Sequence, residues 1–164
     1  MPKLCAGGAT LREQIDARFP KRDHTSDGWI GDTAHAGRDS DHNPDRNGIV
    51  HAIDLDEDFG VPGDPETFCT QLLAYARAGK DGRRLAYVIY EGRIASGTYA
   101  DKFWKWRPYT GANAHTKHIH ISFTNRADRD DSPWRLPILE VTAPPVKKAA
   151  AKKTTKKAVK KAVP

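Results

Sequence analysis

Cysteine is nearly missing from this 164-residue chain: Cys5 and Cys69 stand far apart, in no metal-like spacing. That excludes a disulfide framework and a cysteine-built zinc ribbon. One bridge stays open, but two free thiols are expected, with Cys69 packed on a helix. Long apolar runs are missing too, and none reaches the length of a signal-peptide core or a membrane span. The expectation is synthesis in the cytoplasm without a signal peptide, so that work outside the membrane needs another route of release. Acidic residues are missing from Lys147 to Pro164, a stretch that holds eight lysines. Without those eight, the 27 basic residues fall to 19, against 21 acidic ones. The pI of 9.4 therefore belongs to the tail, and whole-chain charge is no argument that the folded part binds nucleic acid.

What remains is enough for one domain, over residues 1–143, followed by a Lys/Ala/Pro-rich tail over 144–164 that cannot bury a core and is expected to be disordered. The tail reads either as a solvated linker or as an anchor to a polyanion, an anionic wall polymer or nucleic acid. Within the domain, Thr10-Leu-Arg-Glu13 has the form of a capping box, with Leu11, Ile15 and Phe19 on one helical face and Pro20 as the stop. Lys21 to Gly48 is loop, with a short strand near Trp29-Ile30. Ile49 to Leu55 is a buried strand. Asp64-Pro65 opens a second helix, which carries Phe68, Leu72, Leu73 and Ala76 and ends at Gly79. Leu85–Tyr90 and Arg93–Ser96 flank a hairpin turn at Glu91-Gly92, and His118–Phe123 is a further strand. This order predicts an α+β fold, a small antiparallel sheet with flanking helices and a long His-rich loop.

Six of the seven histidines fall into two groups: His35, His42 and His51, then His115, His118 and His120. Only His24 stands apart. Neutral histidine is the commonest metal-binding side chain, and a catalytic zinc takes three protein ligands and keeps one position open. His118 and His120 lie two apart and share a strand face, as do Asp54 and Asp56. A sheet that sets Asp54 beside His120 brings imidazole and carboxylate together, and the loop at His42 can add a third ligand.

Ser40-Asp-His42, Gly48, Ala52-Ile-Asp54 and His118-Ile-His120 together resemble the zinc D-alanyl-D-alanine peptidases. That family includes carboxypeptidases, dipeptidases and phage lysin endopeptidases, and it shares a metal centre with lysostaphin-type enzymes and the hedgehog domain. The resemblance covers Leu11 to Phe123. It implies zinc held by His42, Asp54 and His120, with His118 assisting catalysis and His115 also in the site. The implied activity is hydrolysis of peptidoglycan peptides. Separately, the chain is expected to be a monomer. Gly31 to His35, Ser40 to Pro44 and Tyr109 to Asn113 are similar to segments of small phage lysin domains. In the mechanism this suggests, His118 moves the proton, His115 stabilises the oxyanion, and Arg38 binds a substrate carboxylate or else pairs with Asp39 or Asp41.

Two features depart from the family pattern. His42 and Asp54 are twelve residues apart where better-known members have seven, which leaves Asp56 or His51 as alternatives to Asp54. Lys117 stands where some members carry a catalytic glutamate. Three other readings compete. Asp41-His42-Asn-Pro44 is similar to the start of a histidine-metal nuclease motif. Asp41, Asn43, Asp45 and Asn47 alternate like calcium ligands, although Arg46 replaces the glycine and Ala52 the glutamate such loops need. A non-catalytic zinc module is the last. Trp104, Trp106 and Tyr109 are expected in the core, with a substrate groove as the other reading.

Overall fold

The structure is a computed structural model that describes residues 1–32, 37–61 and 63–140. The lysine tail, the boundary at 143 and His35 lie outside the described residues. In chain order the elements are β1 (Lys3–Leu4), α1 (Ala6–Arg18), β2 (Ile49–Val50), β3 (Ala52–Asp56), α2 (Asp64–Arg77), β4 (Leu85–Tyr90), β5 (Arg93–Ser96), β6 (Arg107–Pro108) and β7 (His118–Phe123). Two 3-10 turns follow, at Asn125–Asp128 and Pro137–Leu139. One antiparallel sheet has the order β3-β7-β4-β5-β6, and β1 pairs with β2 in a small parallel ribbon. The fold is α+β, as the pattern of elements predicts.

Helix α1 begins a turn earlier than the Thr10 capping box implies. Cys5 is its N-cap, and Thr10, inside the helix, donates its hydroxyl to the Asp131 carbonyl at 3.2 Å. Gly7 and Gly8 make up the added turn because there is no room for a side chain. A Cβ would come within 3.0 Å of the Asp130 carbonyl oxygen at the first and of Phe123 Cε2 at the second. Helix α2 is shifted by one residue: Gly63, not Asp64, is the N-cap. The strand expected near Trp29-Ile30 reduces to a single antiparallel bridge between Gly28 and Asp54. The turn between β4 and β5 is as expected, with Glu91 at φ 47° and Gly92 at φ 67°, the left-handed pair that a tight hairpin needs.

Alternation along the strands divides the sheet into two faces. Ile53 and Leu55 of β3, Val88 of β4 and Ile119 and Ile121 of β7 are wholly buried, in one core with Leu11 and Ile15 of α1 and Phe68 and Leu72 of α2. The intervening residues of β3 and β7, Asp54, His118, His120 and Ser122, belong to the opposite face. Residues 129–140 strap the N-terminal helix to this core. Trp134 is buried among it and donates from Nε1 to the Gly7 carbonyl at 2.8 Å. The Arg84 guanidinium lies 3.9 Å above the Trp134 ring. Both thiols are free and buried, and burial pushes Cys5 up to about 11. Trp104 is core and Trp106 packs against it.

Candidate metal centre

Strand register builds half of the site. β3 and β7 run antiparallel with Asp54 opposite His120 and Asp56 opposite His118. Side chains of directly opposed residues share a face, and Asp54 Oδ1 lies 3.0 Å from His120 Nδ1. The loop brings the third group. His42 Nε2 lies 3.1 Å from His120 Nδ1 and 3.3 Å from Asp54 Oδ2. The loop is held there by backbone bonds from Gly31 N to the His42 carbonyl at 2.8 Å and from His51 N to the Asp41 carbonyl at 3.0 Å. The insertion Asn43–Asn47 is a compact turn, in which Asp45 Oδ1 accepts from the backbone N–H of Asn47 and Ile49.

These three groups can hold a metal ion. Donor atoms around a tetrahedral ion bound at roughly 2.0–2.2 Å are about 3.3–3.6 Å apart, and the observed separations fall within a few tenths of an ångström of that. The supporting contacts fit the same use. Ser122 Oγ lies 3.0 Å from His120 Nε2. With the ring proton on that side, Nδ1 presents its lone pair to the site, the arrangement that orients metal-binding histidines. Burial lowers the His42 pKa, but hydrogen bonding and charge from Asp54 outweigh it and raise the value overall. Burial likewise opposes ionisation of Asp54, and the two imidazoles overcome it to hold the carboxyl below the ordinary range.

The alternatives to Asp54 point elsewhere. His51 Nε2 pairs with Asp128 Oδ1 at 2.7 Å. Asp56 accepts from the backbone N–H of Ser26 and Asp58, both at 2.9 Å. The calcium-like alternation is spent on separate contacts: Asp45 on its own turn, Asp41 on the Tyr87 hydroxyl at 2.7 Å, and Asn43 on the Arg38 carbonyl at 2.8 Å. A second group, Asp16, His24 and Asp27, also has donor atoms within 4.8 Å of one another. There the cation is already supplied, since Arg22 Nε donates to Asp16 and Nη1 to Asp27, both at 2.8 Å.

His115 and His118 adjoin the three candidate ligands. The His115 ring centroid is 5.0 Å from that of His118 and 5.3 Å from that of His120, and His118 Nε2 is 3.6 Å from Asp54 Oδ1. Burial lowers the pKa of both; that of His115, helped by charge from His120 and His118, falls to about 4. His115 has a left-handed backbone, φ 53°, and its buried Nδ1 has no hydrogen-bond partner among the described residues. All five groups line a cavity of about 400 Å³, together with Arg38, Tyr87, Tyr109 and Asn113. Arg38 is exposed and lines that cavity. Tyr109 takes the groove position, its ring 5.6 Å from that of His115, while Trp104 and Trp106 remain with the core. Lys117 is mostly exposed and 3.8 Å from Glu57.

Sequence reasoning missed Tyr87 and Ser122. Ser122 was within reach, since it continues the two-residue step from His118 and His120. Tyr87 carried no such signal. No protein-family model, curated protein or solved structure matches this chain at a significant level.

Proposed function

We propose that the chain is a zinc-dependent peptidase that cuts peptides of the bacterial cell wall. An endolysin-type endopeptidase is the first choice and a D-alanyl-D-alanine carboxypeptidase the second. The observation that carries the proposal is the pair His115 and His118, which share a cavity with the ligand triad without being used up by it. A purely structural metal site has no need of two further imidazoles held neutral by burial. Two imidazoles and one carboxylate form the donor set of many catalytic zinc sites. The choice of substrate rests on the resemblance of Ser40–His42, Ala52–Asp54 and His115–His120 to the peptidase family.

When bound, zinc supplies Lewis acidity, which makes water a nucleophile at neutral pH and polarises a carbonyl. The chain's own residues do the rest. His118, neutral at the edge of the cavity, accepts the proton from water and returns it to the leaving amine. His115 donates a hydrogen bond to the oxyanion, with its backbone held in place before substrate arrives. Arg38 receives a carboxylate of the peptide. The protein would meet its substrate outside the membrane.

The test is a mass-spectrometric digest of purified peptidoglycan with zinc-loaded protein, chelated protein and zinc-restored protein. New peptide termini that vanish on chelation and return with zinc are expected, and they also name the bond. No cleavage of any wall chemotype by zinc-loaded protein would reject the proposal.

A further inference from the structure

A bulge in β4 turns one aromatic side chain toward the metal face. Leu85 pairs with Phe123 and Tyr87 pairs with Ser122, with a register shift between them. Regular alternation from the buried Leu85 would point Tyr87 into the core. The extra residue reverses the alternation. Tyr87 thereby joins Ser122 and His120, and Val88 returns to the core opposite Ile121. In that position the Tyr87 ring stacks on His120, with centroids 5.6 Å apart and 21° between planes. Its hydroxyl donates to Asp41 Oδ2 at 2.7 Å, and Asp41 directly precedes His42. One side chain thus touches a strand ligand with its face and the ligand-bearing loop with its tip.

We propose that Tyr87 is a positioning residue that ties the His42 loop to the sheet carrying Asp54 and His120, and so sets the spacing of the three ligands. This rests on the reading of His42, Asp54 and His120 as metal ligands. The loop's backbone bonds at Asp41 and His42 run to His51 and Gly31. They fix the loop to the chain on either side of it, and the Tyr87 hydroxyl joins it to the central strand. A contact of this kind, one step removed from the ion, governs affinity by holding ligands at their bonding separation before the ion arrives.

The experiment measures zinc affinity of the full chain by competition with a chromophoric chelator, with urea unfolding of the metal-free protein in parallel. Tyr87→Phe keeps the ring and removes the hydroxyl. It should weaken zinc binding about 10-fold or more and leave metal-free stability almost unchanged. Asp41→Ala should do the same, and the double variant should be no weaker than Tyr87→Phe alone, because the contact that Asp41→Ala removes is already lost there. Asp41→Asn, which keeps an acceptor oxygen, should lose several-fold less. Unchanged affinity in Tyr87→Phe beside a wild type that binds zinc would overturn the proposal alone. So would losses that add in the double variant, or equal losses in Asp41→Ala and Asp41→Asn. A wild type that binds no zinc would overturn the ligand assignment itself.

Discussion

Asp54 and His120 face each other across neighbouring antiparallel strands, with Asp54 Oδ1 3.0 Å from His120 Nδ1. His118 lies one step along the same face, 3.6 Å from the same carboxylate oxygen. The two histidines should therefore separate by function. His120→Ala should abolish both zinc binding and hydrolysis. His118→Ala should keep zinc and lose about 10²- to 10⁴-fold in rate, the range for a positioned acid–base group. Metal analysis and hydrolysis rates of the two variants check this, and full activity in His118→Ala would refute its role.

A second prediction concerns Gly111. A Cβ there would overlap the Tyr109 hydroxyl and ring, and that ring packs edge-on against His115. Asn113 Oδ1 accepts from the His115 backbone N–H at 2.9 Å, so the Tyr109–Asn113 segment cradles a histidine with a left-handed backbone. Gly111→Ala should lower kcat by about 10- to 100-fold through misplacement of His115, with zinc affinity unchanged. Steady-state kinetics beside a zinc titration separate these effects.

Acid stability should depend on Asp27. Burial opposes its charge, yet hydrogen bonds from Arg22, from the Asp56 backbone and from His24 prevail and hold its pKa below the ordinary value. A carboxyl depressed on folding stabilises the protein above the unfolded value of roughly 3.9, and that contribution is lost as pH falls toward the folded value. Asp27→Asn should cost about 3 kcal/mol near neutral pH, as expected for breaking a buried ion pair. The gap from wild type should shrink below about pH 4. Urea unfolding of both metal-free proteins across pH tests the sign.

Trp134 tests the strap. It is 1% exposed, lies under Arg84, donates to the Gly7 carbonyl and belongs to the core cluster with Ile119 and Ile121, on the face of β7 opposite His118 and His120. Trp134→Ala should destabilise the fold by about 3–5 kcal/mol, while whatever protein remains folded binds zinc with wild-type affinity.

The pairing of Asp54 with His120 was legible because a strand has a period of two, and both residues sit where that period sends them to the polar face. His42 was legible as a possible third ligand from the grouping of histidines, and the resemblance of Ser40-Asp-His42 singled it out, since loop position has no period. Tyr87 was illegible for a physical reason: counting by twos from Leu85 places it in the core, and a bulge has no composition signal there. The start of α1 was obscured because Thr10-Leu-Arg-Glu13 has the form of a capping box, while Gly7-Gly8, poor helix formers by propensity, admit Phe123 and the Asp130 carbonyl at close range. Strands β1 and β6, at two residues each, are too short to show any pattern.

The most direct measurement is an anomalous difference map at the zinc edge from crystals grown with zinc. A single peak bonded to His42 Nε2, the Asp54 carboxylate and His120 Nδ1, with a non-protein ligand completing the shell, is the predicted result. A peak at Asp16, His24 and Asp27, or no peak at the triad in zinc-saturated crystals, would contradict the metal centre and the peptidase built on it.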